Sequence, residues 1–529
     1  MRLILLFLLV VISCKKKNNV LQFTSGENGV VSSAHPLASE AGIKILKKGG
    51  NAFDAAVASA FVLSVVEPSM SGIGGRLQAI IKLPNGEVKG IDASTQVPEK
   101  YDSKTHPKNS YGYSTIGIPG VVAGLVELNE EYGKLPLNVI MRDAIHYAEN
   151  GFEILPGESY RQSMAKSIIE KFNGTKKYFL NKNGKNFRPG ELFIQEDLAK
   201  TLKIISQNGK SGFYEGEIAK RMVEDIQSNG GIITLDDLKN YDAKESKILR
   251  GNYRGYDIFS LYLPSYGAIT IEILNIMSYF KVNQMSELDL VNMFSDIFKV
   301  AYLDRSKQKY EDSLKLILSK DYAFKLFRSL KSFESNSSYM NNKLNGEWVS
   351  KVGHTTHLSA SDKEGNVVAL TQTIGPNMGS KVATNGLGFL YAVTLGGYLG
   401  DYKIGDRANS HISPTILTKK NGFYLAIGAA GGSRIITSIT QVISNVIDKK
   451  MGLDDSLEKG RIFNVNDTVE LENHNGISWD LDKKTIPNNF IFVGSSGRFG
   501  RIHAVLYDTI NQQIFGAADP DWEGAVYSY

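Results

Sequence analysis

The stretch from Asp54 to Val66 has no polar face: after Asp54 it reads A-A-V-A-S-A-F-V-L-S-V-V. A helix that is apolar nearly all round belongs inside a core, because any exposed side would hold hydrocarbon in water. A second helical stretch, from Ala38, precedes it. Gly49-Gly50-Asn51 between the two is a stop-and-restart signal. The Gly-rich turn Ser71-Gly72-Ile73-Gly74-Gly75 then leads into a strand from Leu77 to Leu83, closed by Pro84-Asn85-Gly86.

The rest of the chain divides by pattern. Residues 138–245 are helix-rich and charged, and a helical stretch from Ser286 to Leu330 ends in a polar tract, Ser332 to Lys351, that reads as an exposed linker. After it come two β-rich runs, Thr355 to Ser361 and Asn366 to Thr373, around the turn Asp362-Lys363-Glu364-Gly365. A strand at Gly422 to Ile427, a Gly turn, a helix from about Ser433 to Lys449 and a strand-rich end follow. The 529 residues show no internal repeat, and the linker is the one clear boundary.

Composition excludes several classes. Sixty Lys+Arg against 55 Asp+Glu leaves +5, too weak a charge for nucleic-acid binding by bulk electrostatics. The single cysteine rules out internal disulfides, C-x-x-C redox pairs and Cys-rich zinc sites. Its place explains it: Met1 to Ser13 carries one positive charge and then an apolar run, too short for a permanent span of about 20 residues, ending just before Cys14. Val11-Ile12-Ser13-Cys14 resembles a bacterial lipobox. Residues 1–13 are therefore expected to be an export signal and Cys14 the lipidated mature N-terminus. Residues 14–29, with Lys15, Lys16 and Lys17 at the membrane surface, form the tether. The expected location is the cell envelope, periplasmic or surface-facing.

Three familiar enzyme motifs fail. Asn208-Gly209-Lys210-Ser211 looks like the end of a phosphate-binding loop, but Ile204 stands where its first glycine is needed. His354 and His357 point to opposite faces of a strand, so no zinc pair forms there. No G-x-S-x-G elbow is present. Neither a metal nor a cofactor is expected.

The β-hairpin after the linker permits a deduction. If Lys363-Glu364-Gly365 form its loop, Asp362 pairs with Asn366, and Thr355 comes opposite Thr373 with Cβ atoms about 4.5–5.5 Å apart. On hairpin geometry alone, a Thr–Thr pair selected for β-propensity is favoured over a functional one. A second feature is Ala429-Ala430-Gly431-Gly432-Ser433, which joins an apolar strand to a helix beginning near Arg434. Consecutive glycines at a helix N-terminus leave backbone N–H groups able to bind an oxyanion, although such turns are commonly structural.

Gly353-His354-Thr355-Thr356-His357-Leu358-Ser359, followed by D-K-E-G-N-V-V-A-L-T-Q-T, resembles the processing and catalytic segment of the γ-glutamyltranspeptidase (glutathione hydrolase) family. Further matches run in order along the chain: Ala41 to Asp54, Gly117-Ile118-Pro119-Gly120, Tyr132 to Leu137, Ala301 to Arg305, Ser413-Pro414-Thr415, Gly431 to Arg434 and Ala518-Asp519-Pro520. The resemblance implies an α+β N-terminal-nucleophile (Ntn) hydrolase with a four-layer αββα core. It implies self-cleavage between His354 and Thr355, giving a heterodimer of a large piece, 30–354, and a small catalytic piece, 355–529. Thr355 would be the nucleophile, Thr373 its activating neighbour, and Gly431 and Gly432 the oxyanion donors. A small amide of the glutathione type would be the substrate, its acyl group passing to water or an amine.

The sequence departs from the family where substrate is held. Ile91-Asp92-Ala93-Ser94-Thr95 puts Ser94 where the family has an arginine for the substrate α-carboxylate. Thr373-Ile374-Gly375 puts glycine in place of asparagine. Tyr391 to Tyr398 lacks the family's acidic pair for the α-amino group. Ser410 is kept, but His411 replaces the second serine of a carboxylate-binding pair. Arg76 stands in the Gly-rich turn in place of a small or apolar residue, where it could act as a relocated carboxylate clamp. Losing a charged contact at each end of an amino-acid head weakens its recognition by roughly 1.5–3 kcal/mol per contact. Two further readings stay open: an Ntn amidase or acylase for a different small amide, and a non-catalytic surface lipoprotein.

Overall fold

The computed structural model describes residues 20–332, 354–465, 468–474, 477–482 and 486–529. The export signal and Cys14 fall outside the described residues, as does the linker beyond Ser332.

Two seven-stranded sheets lie at the centre. In spatial order the first takes strands Ala525–Ser528, Gly29–Ser33, Thr356–Asp362, Val367–Thr373, Arg76–Lys82, Val88–Ala93 and Lys244–Glu245. The second takes Phe23–Gly26, Gln513–Ala518, Arg501–Asp508, Tyr424–Ala430, Thr415–Thr418, Tyr256–Leu261 and Ile248–Tyr253. All these pairings are antiparallel. The period-2 alternation of each strand serves both faces. On Thr356–Asp362, Leu358 and Ala360 pack toward the helices Pro36–Lys47, Ala52–Val66 and Val121–Tyr132. Ser359 and Ser361 instead reach the second sheet, at the His503 carbonyl and the Tyr424 hydroxyl. Val30, Ile80, Val367, Ala369, Ile416, Ala426 and Val505 fill the space between the sheets. Helices Gly267–Met277, Glu287–Leu303 and Ile435–Ile447 cover the outer face of the second sheet. The result is the expected αββα sandwich.

The all-apolar helix is buried along its whole length, Ala52–Val66. Its restart signal is a capping box: the Asn51 side chain accepts from Phe53 N and Asp54 N, both at 3.0 Å, and Asp54 accepts from Asn51 N at 3.1 Å. Asp54 also takes Lys134 N at 2.8 Å, and a Cβ on Gly133 would fall 2.2 Å from its Oδ1. That contact explains why Gly133 follows Tyr132 in this chain.

Two expectations need correction. The span 14–29 is expected to be tether, yet Phe23–Gly26 is a strand paired with Ile514–Ala517, so the sheet begins at Phe23. The strand expected at 422–427 runs from Tyr424 to Ala430 instead. Gly428 lies within it, paired with His503, and is glycine because His357 of the facing sheet sits where a Cβ would be, 2.2 Å from His357 Cε1.

Both sheets mix strands from either side of the His354–Thr355 bond. Cutting that bond therefore leaves the two pieces interlocked through backbone pairing.

Candidate active site

The hairpin has the expected register. Asp362 N donates to Asn366 O at 3.2 Å, and Thr356 pairs with Gln372, which sets Thr355 against Thr373 at the open end. Both are buried, at 4% and 2% exposure. Thr355 Oγ1 donates to Thr373 Oγ1 over 3.4 Å. Thr373 Oγ1 donates to the His354 carbonyl oxygen at 2.7 Å and accepts Gly375 N at 2.9 Å. One hydroxyl thus points at the carbonyl before Thr355, while Thr355's own hydroxyl lies beside it. A hydroxyl donating to a carbonyl oxygen polarises it and favours addition at its carbon.

The next residue anchors this arrangement. Thr356 Oγ1 donates to Glu67 Oε2 at 2.8 Å, at the C-terminal end of the buried helix. Glu67 pairs with Arg161 at 3.2 Å, and Arg161 pairs with Glu158 at 3.0 Å. Burial lifts the Glu67 carboxyl to about 6, against the pull of Arg161 and Arg501. Trp522 lies between two guanidinium groups, Arg501 at 4.1 Å and Arg161 at 4.6 Å from its ring centroid. These residues fix the start of the Thr356–Asp362 strand from behind.

Gly431 and Gly432 both have positive φ, 147° and 60°, so the turn requires glycine. A Cβ on Gly431 would come 2.7 Å from Gly500 Cα. Strands Thr356–Asp362 and Tyr424–Ala430 face each other across the sandwich, with Ser361 against Tyr424 and His357 against Gly428. Continued one step further, this facing brings the Gly431–Gly432 turn to the same end as Thr355. Among the described residues neither glycine amide donates a hydrogen bond.

The Gly431 turn rests on a charged cluster. Arg461 holds Glu472 at 2.6 and 2.9 Å, the Gly500 carbonyl at 2.7 Å and the Asp519 carboxylate. Asp519 in turn accepts Ile502 N at 3.1 Å. The loop against which Gly431 packs is therefore fixed from both sides.

The recognition candidates gather at the same end. Arg76 pairs with Thr373 on the neighbouring strand. Its Nη1 donates to Asn409 O at 3.1 Å and its Nη2 to Val393 O. Asn409 precedes Ser410, whose backbone N donates to Pro264 O at 3.0 Å. His411 Nδ1 accepts from Arg305 Nη2 at 2.8 Å, and its ring stacks on Tyr266 with centroids 6.0 Å apart. Burial, then Arg305 and Arg76, push His411 well below its ordinary pKa, so it is a neutral imidazole.

A family model of gamma-glutamyltranspeptidase matches residues 38–529. The chain belongs to the gamma-glutamyltranspeptidase family. It is 32% identical over 468 residues to the glutathione hydrolase proenzyme of Pseudomonas sp. (strain A14), covering 82% of this chain and 81% of that protein. It is 31% identical over 489 residues to the acylase ACY 1 proenzyme of Pseudomonas sp. (strain V22), covering 87% and 86%. Among solved structures it superposes on cephalosporin acylase from Bacillus halodurans with a TM-score of 0.83 at 25% identity, covering 96% of this chain and 97% of that one. A gamma-glutamyltranspeptidase-type Ntn enzyme is thus established in kind, and relatives named for both hydrolase and acylase activity sit at similar distance.

Within this family framework, sequence reading missed Glu67, Arg161, Trp522 and Arg461. No spacing marks them, because each meets its partner only through the fold. Ala518-Asp519-Pro520 was the one available signal, as a match whose partner Arg461 was not visible.

Proposed function

We propose that the protein cuts its own chain before Thr355 and then uses the freed threonine to take an acyl group from a small amide. The observation that carries this reading is the hydroxyl pair. Thr355 Oγ1 lies 3.4 Å from Thr373 Oγ1, which donates to the His354 carbonyl at 2.7 Å. In self-cleavage Thr355 Oγ adds to the His354 carbonyl carbon, the C–N bond breaks, and an ester joins His354 to the Thr355 side chain. Water then splits the ester, leaving a carboxylate on His354 and a free α-amine on Thr355. That amine has a reference pKa near 8, so a neutral fraction exists at about pH 7 to accept the hydroxyl proton when an external amide is attacked. The Gly431 and Gly432 amides would hold the resulting oxyanion.

Two acyl donors fit. A γ-glutamyl amide of the glutathione type is the reading that the hydrolase relatives support. An acylase for a different small amide is favoured by the loss of the arginine at Ser94 and of the acidic pair in Tyr391 to Tyr398. Incubation of the purified protein should yield residues 355–529 as a fragment beginning Thr-Thr-His-Leu, read by intact mass and N-terminal sequencing. A chain that stays whole under all conditions would favour a non-catalytic lipoprotein. Release of nitroaniline from γ-glutamyl-p-nitroanilide then separates the two donors.

We further propose that the protein is exported and lipidated at Cys14, which follows a short apolar run after one arginine. Cys14→Ala should move the protein from the membrane fraction to the soluble fraction. Unchanged fractionation would exclude the anchor.

A further inference from the structure

The other departures from the family pattern occur at separate places in the sequence, yet in the structure they meet at the side chain of the fifth, Arg76. Leu77 pairs with Ala93 and Gln78 with Asp92, so the same register sets Arg76 opposite Ser94. On its other side Arg76 pairs with Thr373. Thr355, Thr373, Arg76 and Ser94 thus form a row across four adjacent strands, and side chains opposite one another in a sheet share a face. The Arg76 guanidinium lies over Gly375, where an added Cβ would stand 3.8 Å from Nη2. It bonds the carbonyl of Val393, within the stretch that lacks the acidic pair, and that of Asn409, beside Ser410 and His411.

This cation is 3% exposed, and both its hydrogen bonds go to neutral backbone carbonyls. Among the described residues its Nε has no acceptor, and the contacts of its other nitrogens go to carbonyl oxygens, not to a carboxylate. A buried charge without a counter-charge is costly, so a site of this kind is complete only when an anion arrives. Its ionisable neighbours do not supply one. Burial holds the Tyr398 and Tyr402 phenols in the neutral, donating form. Asp92 lies one pair deeper in the sheet, and its Oδ1 accepts Ser94 N at 2.9 Å.

We propose that the acyl donor is the monoamide of a dicarboxylic acid, an ω-carboxyacyl amide whose free carboxylate binds Arg76 and which carries no α-ammonium group. The inference rests on the acyl-Thr355 reading above. It makes these departures one coupled change: the cation has moved one strand over from position 94, Ser94 and Gly375 give it room, and the ammonium acceptors are gone. In the reaction the amide C–N bond breaks, the acyl carbon joins Thr355 Oγ, and the amine leaves with the threonine proton. Water then splits the ester to release the dicarboxylic acid. The row fixes the order of parts: Arg76 lies two strand spacings from Thr355, about 9.5 Å between backbones, so a chain of a few methylenes reaches between the two side chains.

The test compares the self-cleaved protein on succinyl, glutaryl and adipyl p-nitroanilides, on γ-glutamyl-p-nitroanilide and on the uncharged valeryl-p-nitroanilide. One of the ω-carboxyacyl amides should exceed both γ-glutamyl and valeryl amides in kcat/KM by about 10–100-fold. Arg76→Gln should collapse the ratio of ω-carboxyacyl to valeryl kcat/KM toward one, and Arg76→Lys should restore part of it. A γ-glutamyl amide hydrolysed as well as the best ω-carboxyacyl amide would overturn the proposal, as would equal rates on the valeryl amide. Calorimetric titration with glutarate, L-glutamate and valerate reads the pocket without turnover or variants. Glutarate should bind tightest, and glutamate binding equally or better would overturn the proposal. If glutarate binds as expected but no amide is cleaved, the acyl-Thr355 reading falls and the carboxylate pocket stands.

Discussion

Thr355→Ala is expected to leave the chain uncut and to reduce amide turnover by on the order of 10⁶-fold, the scale seen when a nucleophile is removed. Alanine keeps the backbone and most of the burial at this position, so the sandwich should form as before. What disappears is the hydroxyl that lies 3.4 Å from Thr373 Oγ1. Thr355→Ser keeps that hydroxyl without its flanking methyl group, which helps hold the rotamer, and should cut more slowly while still producing the 355–529 fragment. Gel mobility and intact mass read the cutting, and nitroaniline release reads turnover. An alanine variant that still cut at this bond would show that the Thr355 hydroxyl takes no part in it.

Arg461→Met is expected to destabilise the fold by about 3–5 kcal/mol, because it leaves the Asp519 carboxylate buried without its cation and Glu472 with the His474 ring alone. All three side chains are at most 1% exposed. Against a total stability of about 5–15 kcal/mol, such a loss brings the chain close to unfolding at ordinary temperature. Urea midpoints measure it. The same variant releases the Gly500 carbonyl that Arg461 holds at 2.7 Å, and with it the loop under Gly431. Arg461→Lys keeps a charge without the two-pronged contact to Glu472 and should fall between the two. A loss under about 1 kcal/mol would mean that the cluster relaxes around the missing cation.

The parts legible in the sequence were those written in local pattern. The helix Ala52–Val66 announced its burial by having no polar face, and the Thr355–Thr373 pairing followed from one turn and a period of two. The order of the strands could not be read this way, because neighbours such as Gly29–Ser33 and Thr356–Asp362 lie far apart in the chain. Nothing in Gly422 to Ile427 revealed that the strand would continue through Gly428, since its partner there is His503 and the space for a side chain is filled by His357 on the other sheet. The recognition site was partly visible. Arg76, Ser94, Gly375 and His411 were each anomalous against the family pattern, but only the register Arg76–Thr373, continued to Ser94, shows that they are neighbours.

The acyl-threonine intermediate is the most direct measure of the central claim. The self-cleaved protein is mixed with an excess of a cleaved amide, quenched in acid during turnover, and the fragment 355–529 is weighed and digested. A population heavier by one acyl group, with the adduct on Thr355, is the expected result. Steady hydrolysis with an unmodified fragment, or an adduct on any other residue, would contradict it.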